Sequence, residues 1–271
     1  MELTAISWNL FHGRDFPPDP ALRTWRSRLF RVTERNETHL QVNRNLLPEF
    51  CRLLAGTEWD LALLQECPPR WWRPLAVACG AEAHGVLTSR NSLSGVRTLA
   101  ARVNPDLIAS GEGGSNLTLV RGAGITERRE LTIHSGRPER RAMAFTRTGT
   151  GTCVANLHAT NDQPKLAVED VLRATESARD WAGEAPLLFG GDLNLRPAED
   201  PTVFEELHKR FGLGAPTAPD AIDHILAHGF KVISPPTPWP PERRELHEGN
   251  RALRLSDHAP VEARFAPLTT R

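Results

Sequence analysis

The order of strand and helix patterns in this sequence predicts an α/β fold with two β-sheets packed face to face and helices outside them. Strands and helices alternate in the first third of the chain, consecutive strands fill the middle, and helices return between the later strands. A simple parallel doubly wound sheet requires regular alternation throughout, so this mixed order excludes it. No linker divides the 271 residues, and we therefore expect one domain over residues 1–271.

The first third of the chain contains two predicted strands and two predicted helices. Apolar and polar residues alternate in the first strand, and a fully apolar run forms the second. Pro and Gly bracket the second helix, as is usual at helix ends. The predicted elements are a strand at 3–10, a loop with a short helix at 15–37, a helix at 38–54, a strand at 60–66 and a helix at 69–80.

The middle of the chain reads as consecutive strands, and the last third mixes strands with two helices. Gly-rich turns separate the middle strands, which are predicted at 82–88, 116–121, 130–134, 141–148 and 152–159. The later elements are predicted as helices at 164–182 and 201–211 and strands at 185–194, 221–228, 231–234 and 258–265. The Pro-rich stretch at 234–245 is predicted to be an extended surface loop.

Composition and charge are those of a soluble globular protein without a strong preference for nucleic acid. Apolar residues make up 39% of the chain, and 33 basic residues balance 33 acidic ones. A protein that binds long nucleic acid usually has a basic excess, so the balance favours a smaller or membrane-borne substrate over long DNA. The N-terminus lacks the pattern of a signal peptide, and no apolar run is long enough to span a bilayer. We expect a cytoplasmic protein.

The four cysteines do not have the spacing of a metal site or a redox pair. No two of them form a CxxC motif, and Cys51 and Cys153 lie in apolar runs as small buried residues do. A disulfide between Cys67 and Cys79 stays open at this point.

Nine polar residues stand at or near the ends of six predicted strands that are distributed over the whole chain. Burying such groups is costly unless a metal ion, a phosphate or another side chain compensates them. Polar residues from several strands at one rim of a sheet are typical of an active site on a β scaffold. They are Asn9, Glu66, Asn156, His158, Asp192, Asn194, Asp223, Asp257 and His258.

The oxygen ligands in this set favour Mg²⁺ or Mn²⁺ over Zn²⁺. Glu66, Asp192 and Asp257 offer carboxylates, which hard divalent cations prefer. Asn9 and Asn194 add neutral amides, which can ligate a metal ion or donate to a phosphate oxygen. A divalent metal cofactor is therefore predicted.

The remaining polar residues can move protons near neutral pH. His158 and His258 are candidates for acid or base catalysis. Asp223 can accept a hydrogen bond from the N–H of one imidazole and thereby set the tautomer of that ring. A metal ion, a base and amide donors together predict hydrolysis of a phosphoryl ester.

Six short motifs, in this order, make the sequence resemble the endonuclease/exonuclease/phosphatase superfamily. They are "WNL", "LLQE", "NLH", "GDLN", "IDHIL" and "SDHAPV", and they run from Asn9 to His258. The resemblance implies a DNase I-like, four-layered α/β sandwich and a metal-dependent phosphoric ester hydrolase. This group includes DNase I-like nucleases, repair nucleases, bacterial sphingomyelinases and inositol-polyphosphate 5-phosphatases.

The resemblance also implies roles for the metal-side and water-side residues. Glu66 is similar to the principal Mg²⁺ ligand of the family, with Asn9 beside it and Asp257 as a second metal-side carboxylate. Asp192 is similar to the residue that positions or deprotonates the attacking water, and Asn194 to its phosphate-binding neighbour.

A second group of roles concerns the imidazoles and further amides. The resemblance makes His258 the catalytic histidine, Asp223 its partner, and His158 the second histidine of the DNase I and sphingomyelinase type. In one branch of the family, the strand corresponding to the one that carries His158, or its surroundings, contributes a catalytic Tyr instead. This sequence contains no Tyr, so the histidine type is favoured. Asn116 and Asn156 are candidate phosphate-binding residues, although Asn156 has the alternative of bonding only to backbone.

Several neighbouring residues have either a structural or a functional interpretation. His224 follows Asp223 on the opposite face of its strand and is expected to be structural. Arg243 and Arg244 precede the last motif and are expected near the substrate.

Three functions stay open from the sequence. The first is a metal-dependent phosphodiesterase or nuclease, and the second is a phosphomonoesterase or lipid phosphodiesterase of the sphingomyelinase or inositol-phosphatase kind. The third, a binding module without turnover, is disfavoured because every recognised catalytic position is filled. We expect a monomer that acts on a phosphate ester, which includes nucleic acid. The loops at 14–37, 89–115 and 234–252, which would select the substrate, match no specificity pattern.

Overall fold

A computed structural model describes residues 2–88, 94–108, 113–134, 140–214 and 216–268. Within these ranges the chain forms a six-stranded sheet and a five-stranded sheet. The six-stranded sheet contains, in spatial order, β12 (Phe230–Pro238), β15 (Val261–Pro267), β1 (Leu3–Asn9), β4 (Leu61–Gln65), β6 (Ser115–Arg121) and β5 (Ala81–Leu87). The five-stranded sheet contains β11 (Asp223–His228), β10 (Leu187–Asp192), β9 (Cys153–His158), β8 (Arg141–Thr148) and β7 (Ile125–His134).

Two small hairpin sheets and seven α-helices complete the described residues. The small sheets pair β2 (Glu34–Arg35) with β3 (Leu40–Gln41) and β13 (Glu245–Glu248) with β14 (Arg251–Arg254). The helices are α1 (Trp25–Phe30), α2 (Leu47–Ala55), α3 (Trp72–Cys79), α4 (Ser94–Val103), α5 (Pro105–Ile108), α6 (Pro164–Ala182) and α7 (Pro201–Phe211). No helix among the described residues combines the length and the apolarity that crossing a bilayer requires.

Three apolar cores separate four layers. Helices α2 and α3 pack on the outer face of the six-stranded sheet, where Phe50 and Trp71 meet Trp8. Helices α6 and α7 pack on the outer face of the other sheet, and the third core lies between the sheets. This arrangement confirms the predicted four-layered α/β sandwich.

Helix α6 illustrates how the sequence builds one of the outer layers. Its buried residues recur every three or four positions, which is the period of one helix face. Pro164 occupies the first turn, where a missing N–H costs nothing, and the helix ends at Gly183. The predicted boundaries of this helix are those that the structure has. Its buried residues are Ala167, Asp170, Val171, Ala174, Thr175, Ala178 and Ala182.

The side chains between the two sheets change from apolar to polar along each central strand. Residues two apart point to the same face of a strand, so each strand supplies a series to this layer. The polar ends of these four series of side chains lie at the same edge of the sandwich, where they form the site described below. They are Ala5, Ser7 and Asn9 on β1; Leu61, Leu63 and Gln65 on β4; Val154, Asn156 and His158 on β9; and Leu188, Gly190 and Asp192 on β10.

Three predicted segments differ from the structure. The helix predicted at 38–54 begins only at Leu47, because the preceding residues form β3 and Pro48 favours the first turn. The segment 89–115, predicted as a loop, contains α4 and α5, while residues 89–93 and 109–112 lie outside the described ranges. The Pro-rich stretch extends β12 to Pro238, since β12 is an edge strand and edge strands tolerate proline.

The cysteines carry no disulfide. Cys51, Cys67, Cys79 and Cys153 are all free thiols, which settles the alternative left open for Cys67 and Cys79.

Candidate active site

The two sheets bring the predicted strand-end residues together around the carboxylate of Asp192. Asn9 Nδ2 donates to Asp192 Oδ2 over 2.9 Å, across the gap between β1 and β10. Nε2 of His158 lies 3.5 Å from the same oxygen, and Nε2 of His258 lies 3.9 Å from it. The backbone N–H of Asn194 donates to Asp192 Oδ1 over 3.2 Å. Residues from both sheets therefore surround one buried carboxylate.

His258 and Asp223 form a bonded pair beside Asp192. Nδ1 of His258 lies 2.7 Å from Oδ2 of Asp223, which belongs to β11 and stands opposite Asp192 in the sheet register. Carboxylate oxygens of Asp192 and Asp223 and a ring nitrogen of His258 lie within 4.8 Å of one another. Burial lowers the pKa of His258, but the charge and hydrogen bond of Asp223 outweigh burial and raise this pKa to about 10. The imidazole is therefore cationic at neutral pH.

The pKa of Asp192 is high for a carboxyl group. Burial raises its pKa to about 7, and the neighbouring charge of Asp223 acts in the same direction. The hydrogen bond from Asn9 and the charge of His258 act against this rise. Asp192 can therefore take up and release a proton near neutral pH, as a group that handles a water proton must.

His158 has the opposite protonation tendency to His258. It is buried, and burial together with the nearby charge of Arg141 lowers its pKa to about 3. The imidazole is therefore neutral at physiological pH and can donate one N–H without a net charge. The two imidazoles thus differ in charge because only one of them has a carboxylate partner at hydrogen-bond distance.

Glu66 and Asp257 form the acidic side of the site. Oε2 of Glu66 lies 3.1 Å from Nε2 of His12, and Asp257 Oδ1 lies 3.9 Å from Nε2 of His258. Burial raises the pKa of Glu66, but the charges of His12, His158 and His258 hold it below its ordinary value. Burial raises the pKa of Asp257, and the charge of Glu66 adds to that shift. Two carboxylates that oppose each other's ionisation are suited to a shared divalent cation.

The hydrogen bond between His258 and Asp223 indicates which side chains are available to ligate a metal ion. A ring nitrogen that bonds to Asp223 is committed to that carboxylate, so this pair is better suited to acid–base chemistry than to ligation. The oxygens of Glu66 and Asp257, with the amide of Asn9 nearby, are the donor set that Mg²⁺ or Mn²⁺ prefers. The residues present therefore fit the predicted metal.

The backbone adopts unusual conformations where it enters and leaves the site. Of seven non-glycine residues with positive φ among the described residues, five lie in the segments that carry the site. Such conformations are strained and cluster at functional sites, where the surrounding structure holds them. The five residues are Phe11, His12, Glu66, Asn194 and Ser256.

The two glycines before Asp192 allow a close approach of backbones. A Cβ on Gly191, whose φ is +133°, would lie 1.9 Å from the carbonyl oxygen of Leu157. A Cβ on Gly190 would lie 2.4 Å from the carbonyl oxygen of His224. The Gly-Gly-Asp sequence therefore lets β10 fit between its neighbours and present Asp192 at their common edge.

Asn116 and Asn156 lie between the sheets rather than around Asp192. Both are fully buried. Asn116 Nδ2 donates to the carbonyl oxygens of Ala142 (2.9 Å) and Asn156 (3.3 Å). Asn156 Nδ2 donates to those of Leu64 and Leu117, at 3.3 and 3.2 Å. Their amide protons are directed to backbone, which is the alternative interpretation given for Asn156.

The structure reverses the expectation for Arg243 and Arg244. Nη2 of Arg243 lies 2.7 Å from Glu262, and its guanidinium stacks on Trp239, which turns it away from the site. Arg244 is buried and donates to the carbonyl oxygens of Ser256 and His258, each over 2.7 Å. Arg244 thus supports the segment that carries His258, and neither arginine is placed to bind substrate.

Two residues that the sequence did not mark as catalytic candidates border the acidic side. His12 contacts Glu66, and Arg14 lies near enough for the charges of Glu66, Asp257 and Asp106 to act on it. Both residues follow the motif "WNL" closely in the sequence, and this proximity is the feature that could have identified them as site residues. His224 is structural as expected, because its ring nitrogens meet the backbone of Leu195 and Thr217.

Comparison with known proteins agrees with this fold. The family model described as "Endonuclease/Exonuclease/phosphatase family" matches residues 6–258. An endonuclease/exonuclease/phosphatase family protein from Bacteroides thetaiotaomicron is 17% identical, with a TM-score of 0.62 over 98% of this chain and 97% of that one. A mannosyl-6-phosphatase from the same species is 16% identical, with a TM-score of 0.65 over 97% and 99%.

A eukaryotic structure extends the same comparison. Truncated TDP2 of Caenorhabditis elegans is 15% identical, with a TM-score of 0.56 over 98% of this chain and 97% of that one. No curated protein sequence matches significantly. These identities are low enough that the structural likeness shows the DNase I-like fold alone. The family model, which covers nearly the whole chain, carries the assignment: this chain belongs to the endonuclease/exonuclease/phosphatase family.

Proposed function

We propose that this protein is a divalent-metal-dependent phosphoric ester hydrolase, with phosphodiesters as its first candidate substrates. The observation that carries the proposal is the meeting of Asp192 with the bonded pair of His258 and Asp223. Family membership supports the same class of reaction. A binding module without turnover would have no need for a buried carboxylate held among two imidazoles and an amide.

The metal-side residues are proposed to be Glu66, Asp257 and Asn9. A bound Mg²⁺ or Mn²⁺ ion supplies charge neutralisation to the phosphoryl group of the substrate. Glu66 is held in place by His12, and its left-handed backbone (φ 48°) directs its side chain at the end of β4. Asn9 accepts the N–H of Phe11 at Oδ1 while donating to Asp192, which fixes its orientation.

The proton-handling residues are proposed to act on the attacking water and on the charge that develops at the phosphoryl group. Asp192 orients the attacking water and accepts its proton, with its oxygens already positioned by Asn9 and Asn194. His258, cationic through Asp223, stabilises the developing negative charge and can release a proton to the leaving group. His158 donates a neutral hydrogen bond to the same charge.

Phosphomonoesters are the second candidate substrates. A cavity of 310 Å³ next to Arg14 is lined by three arginines and two aspartates, and a cavity of this size favours a small ester over a duplex. Its charged lining residues are Arg14, Arg23, Arg28, Asp15 and Asp106. One structural neighbour is named a mannosyl-6-phosphatase, which supports including monoesters in the substrate panel. We further propose that the chain acts as a single domain and a monomer.

Replacement of Glu66 tests the proposed metal chemistry. We expect Glu66→Gln to lower metal-dependent hydrolysis of bis-p-nitrophenyl phosphate by about 100-fold or more, because loss of a charged ligand removes several kcal/mol of metal-derived stabilisation. Rates are measured with Mg²⁺, with Mn²⁺ and with EDTA, in parallel on p-nitrophenyl phosphate as a monoester. Mn²⁺ binding, followed by electron paramagnetic resonance, should weaken in the same variant.

The matched control is Glu58→Gln, the same chemical change at an exposed position. It should retain wild-type turnover and Mn²⁺ affinity. Wild-type rates in the Glu66→Gln variant would remove Glu66 from the metal site, and hydrolysis that is indifferent to EDTA would contradict metal dependence itself.

A further inference from the structure

Helices α1 and α4 present a group of large apolar side chains to solvent. We call this group the apolar platform, and each member is between 49% and 68% exposed. Soluble proteins rarely expose several such residues together unless the surface has a partner. The platform consists of Trp25, Leu29, Phe30, Val96, Leu99 and Val103.

Helix α4 is amphipathic in the opposite sense to the core helices. Its apolar residues at 96, 99 and 103 recur at helical spacing, yet this face points to solvent, whereas α6 buries its apolar face against a sheet. All seven tryptophans lie in the described ranges, and Trp25 is the only one that is exposed. Its indole meets Phe30 edge to face with ring centroids 5.8 Å apart and leaves 65% of the residue in solvent.

Hydrogen bonds tie the C-terminal end of α4 to the end of α1. Asn104, which separates α4 from α5, donates to the carbonyl oxygens of Arg28 (3.0 Å) and Leu29 (3.3 Å) at the end of α1. Asn43 donates to the carbonyl oxygen of Ser27 over 3.0 Å and to Asn104 over 2.7 Å. The C-terminal end of α4, with Val103, therefore lies beside the end of α1, with Leu29 and Phe30.

Arginines surround the apolar platform. Residues 20–35 and 94–108 contain seven arginines and only two carboxylates, although the whole chain has no net charge. No ion pair within 4.0 Å joins any of these seven arginines to a carboxylate among the described residues. The segments that carry the platform thus have a local basic excess that no ion pair neutralises among the described residues. Arg23 stacks on Phe16 and Arg31 donates to Asn43, so Arg26, Arg97 and Arg102 are the arginines best placed for an anionic partner. The seven arginines are Arg23, Arg26, Arg28, Arg31, Arg35, Arg97 and Arg102.

We propose that the apolar platform docks this protein on an anionic lipid surface. Aromatic and aliphatic side chains that insert at the boundary of headgroups and acyl chains, surrounded by cations that meet lipid phosphates, are the chemistry of interfacial binding. If a second copy of the chain docked on the platform, the arginines near the two platforms would face each other and repel. Duplex nucleic acid would pair with the arginines but would leave the apolar side chains against water. A single strand could stack its bases on Trp25 and Phe30 but would leave the aliphatic side chains of α4 against water. An anionic bilayer satisfies both parts of the surface.

The platform also borders a cavity that lies near the acidic side of the candidate active site. Arg23 and Arg28, which border the platform, line the same 310 Å³ cavity as Arg14, and the charge of Glu66 acts on Arg14. A docked molecule would therefore hold the entrance of this cavity next to lipid headgroups. The docking itself rests on the surface alone and is independent of the proposed hydrolysis.

Vesicle binding tests the proposal directly. The full-length protein is sedimented with phosphatidylcholine vesicles and with vesicles containing 30% phosphatidylglycerol, in EDTA so that hydrolysis plays no part. We expect partition into the anionic vesicles to exceed that into neutral ones by about tenfold at low salt and to fall as salt rises. Brominated acyl chains should quench Trp25, the one exposed tryptophan.

Paired variants separate the two parts of the surface. Trp25→Ser with Phe30→Ser should lower partition by about tenfold or more, and Val77→Ser, an equally exposed position on α3, should leave it unchanged. Arg26→Gln with Arg102→Gln should abolish the preference for anionic vesicles. Arg52→Gln with Arg73→Gln, which lie on α2 and α3, serves as the control for charge.

Three results would overturn the proposal. The first is wild-type partition that is equal for neutral and anionic vesicles, and the second is unchanged partition after the Trp25 and Phe30 substitutions. The third is a dimer in light scattering that becomes a monomer in the same variant, which would assign the platform to a second copy of the chain.

Discussion

The pair formed by Asp223 and His258 sets the charge of the candidate active site. Without Asp223, burial would favour a neutral imidazole at position 258, as it does at position 158. One 2.7 Å hydrogen bond to a carboxylate reverses that preference. The difference between the two histidines is thus a property of their neighbours, and the residue type alone does not reveal it.

Replacement of Asp223 by Asn should therefore change both rate and protonation. We expect kcat of Asp223→Asn to fall by about 10² to 10⁴, in the range of lost acid–base catalysis, because the amide neither carries the charge nor fixes the tautomer. The pKa of His258, followed by NMR titration of the metal-free protein, should fall well below about 10. An unchanged pKa together with a reduced rate would place Asp223 in another role.

The structure brings several of the predicted site residues together around Asp192, but the sequence could not give the depth at which the others lie. Asn156 and His158 share one face of β9, so the same alternation predicts both as site residues. Two residues along a strand correspond to about 7 Å, which is enough to take Asn156 from the rim into the layer between the sheets. Its contacts with Leu64 and Leu117 belong to the opposite sheet, and no local pattern in β9 encodes that distance.

At the scale of the elements, polar bonds in the layer between the sheets hold the two halves of the site in register. Gln65 Nε2 donates to Asn156 Oδ1 over 2.8 Å, so β4 and β9 are joined directly beneath the site. Asn116 joins β6 to β8 and β9 in the same way. These bonds are buried, and a buried polar group that loses its partner destabilises the fold.

Asn156→Ala should therefore act on stability rather than on substrate binding. We expect a loss of about 1–3 kcal/mol in the free energy of unfolding for each buried group left unpaired, measured by urea denaturation. Asn194→Ala, at the rim, should change KM or kcat with a smaller effect on stability, because its side chain donates one bond to Ala159. A strongly raised KM with wild-type stability in Asn156→Ala would instead support its predicted phosphate-binding role.

Helix α4 explains why one element was not predicted. Sequence patterns identify a helix by the apolar face that it buries, and this helix turns its apolar face outward. Helices α6 and α7, which do bury such a face, were predicted with the boundaries that they have. The apolar pattern therefore predicted α6 and α7 correctly, missed α4, and placed the start of α2 too early.

At the scale of the whole molecule, the mixed order of strands and helices was sufficient to predict the sandwich. That order excluded a parallel sheet, and six motifs spread from Asn9 to His258 required both sheets to meet at one edge. The sequence could not reveal the buried charges in the loops that cover that edge. Asp15, on the segment between β1 and α1, is 5% exposed and accepts the N–H of Val42 over 3.0 Å.

Asp15 should make global stability depend on pH. Burial raises its pKa to about 8, so the folded protein holds a proton that the unfolded chain releases near its ordinary value of 3.8. The stabilisation that arises from this difference in pKa is at its maximum below about pH 4 and is lost as the pH rises toward 8. Between pH 5 and pH 8 this loss is at most about 4 kcal/mol, from 1.36 kcal/mol per pKa unit.

The variant Asp15→Asn should remove this dependence, since its amide oxygen can still accept the N–H of Val42. We expect it to be more stable relative to wild type at pH 8 than at pH 5 in urea denaturation. Asp220→Asn, on the surface, is the matched control. Parallel stability profiles for wild type and Asp15→Asn would show that Asp15 is ionised in the folded protein.

The arrangement of the six-stranded sheet has a consequence for biosynthesis. Its last strand, β15, inserts between β12 and β1, and His258 directly precedes that strand. A chain emerging from the ribosome lacks both until residues 258–267 have been translated, so a nascent fragment that ends before them does not hold the complete set of site residues. The site is complete only after β15 has paired with β1.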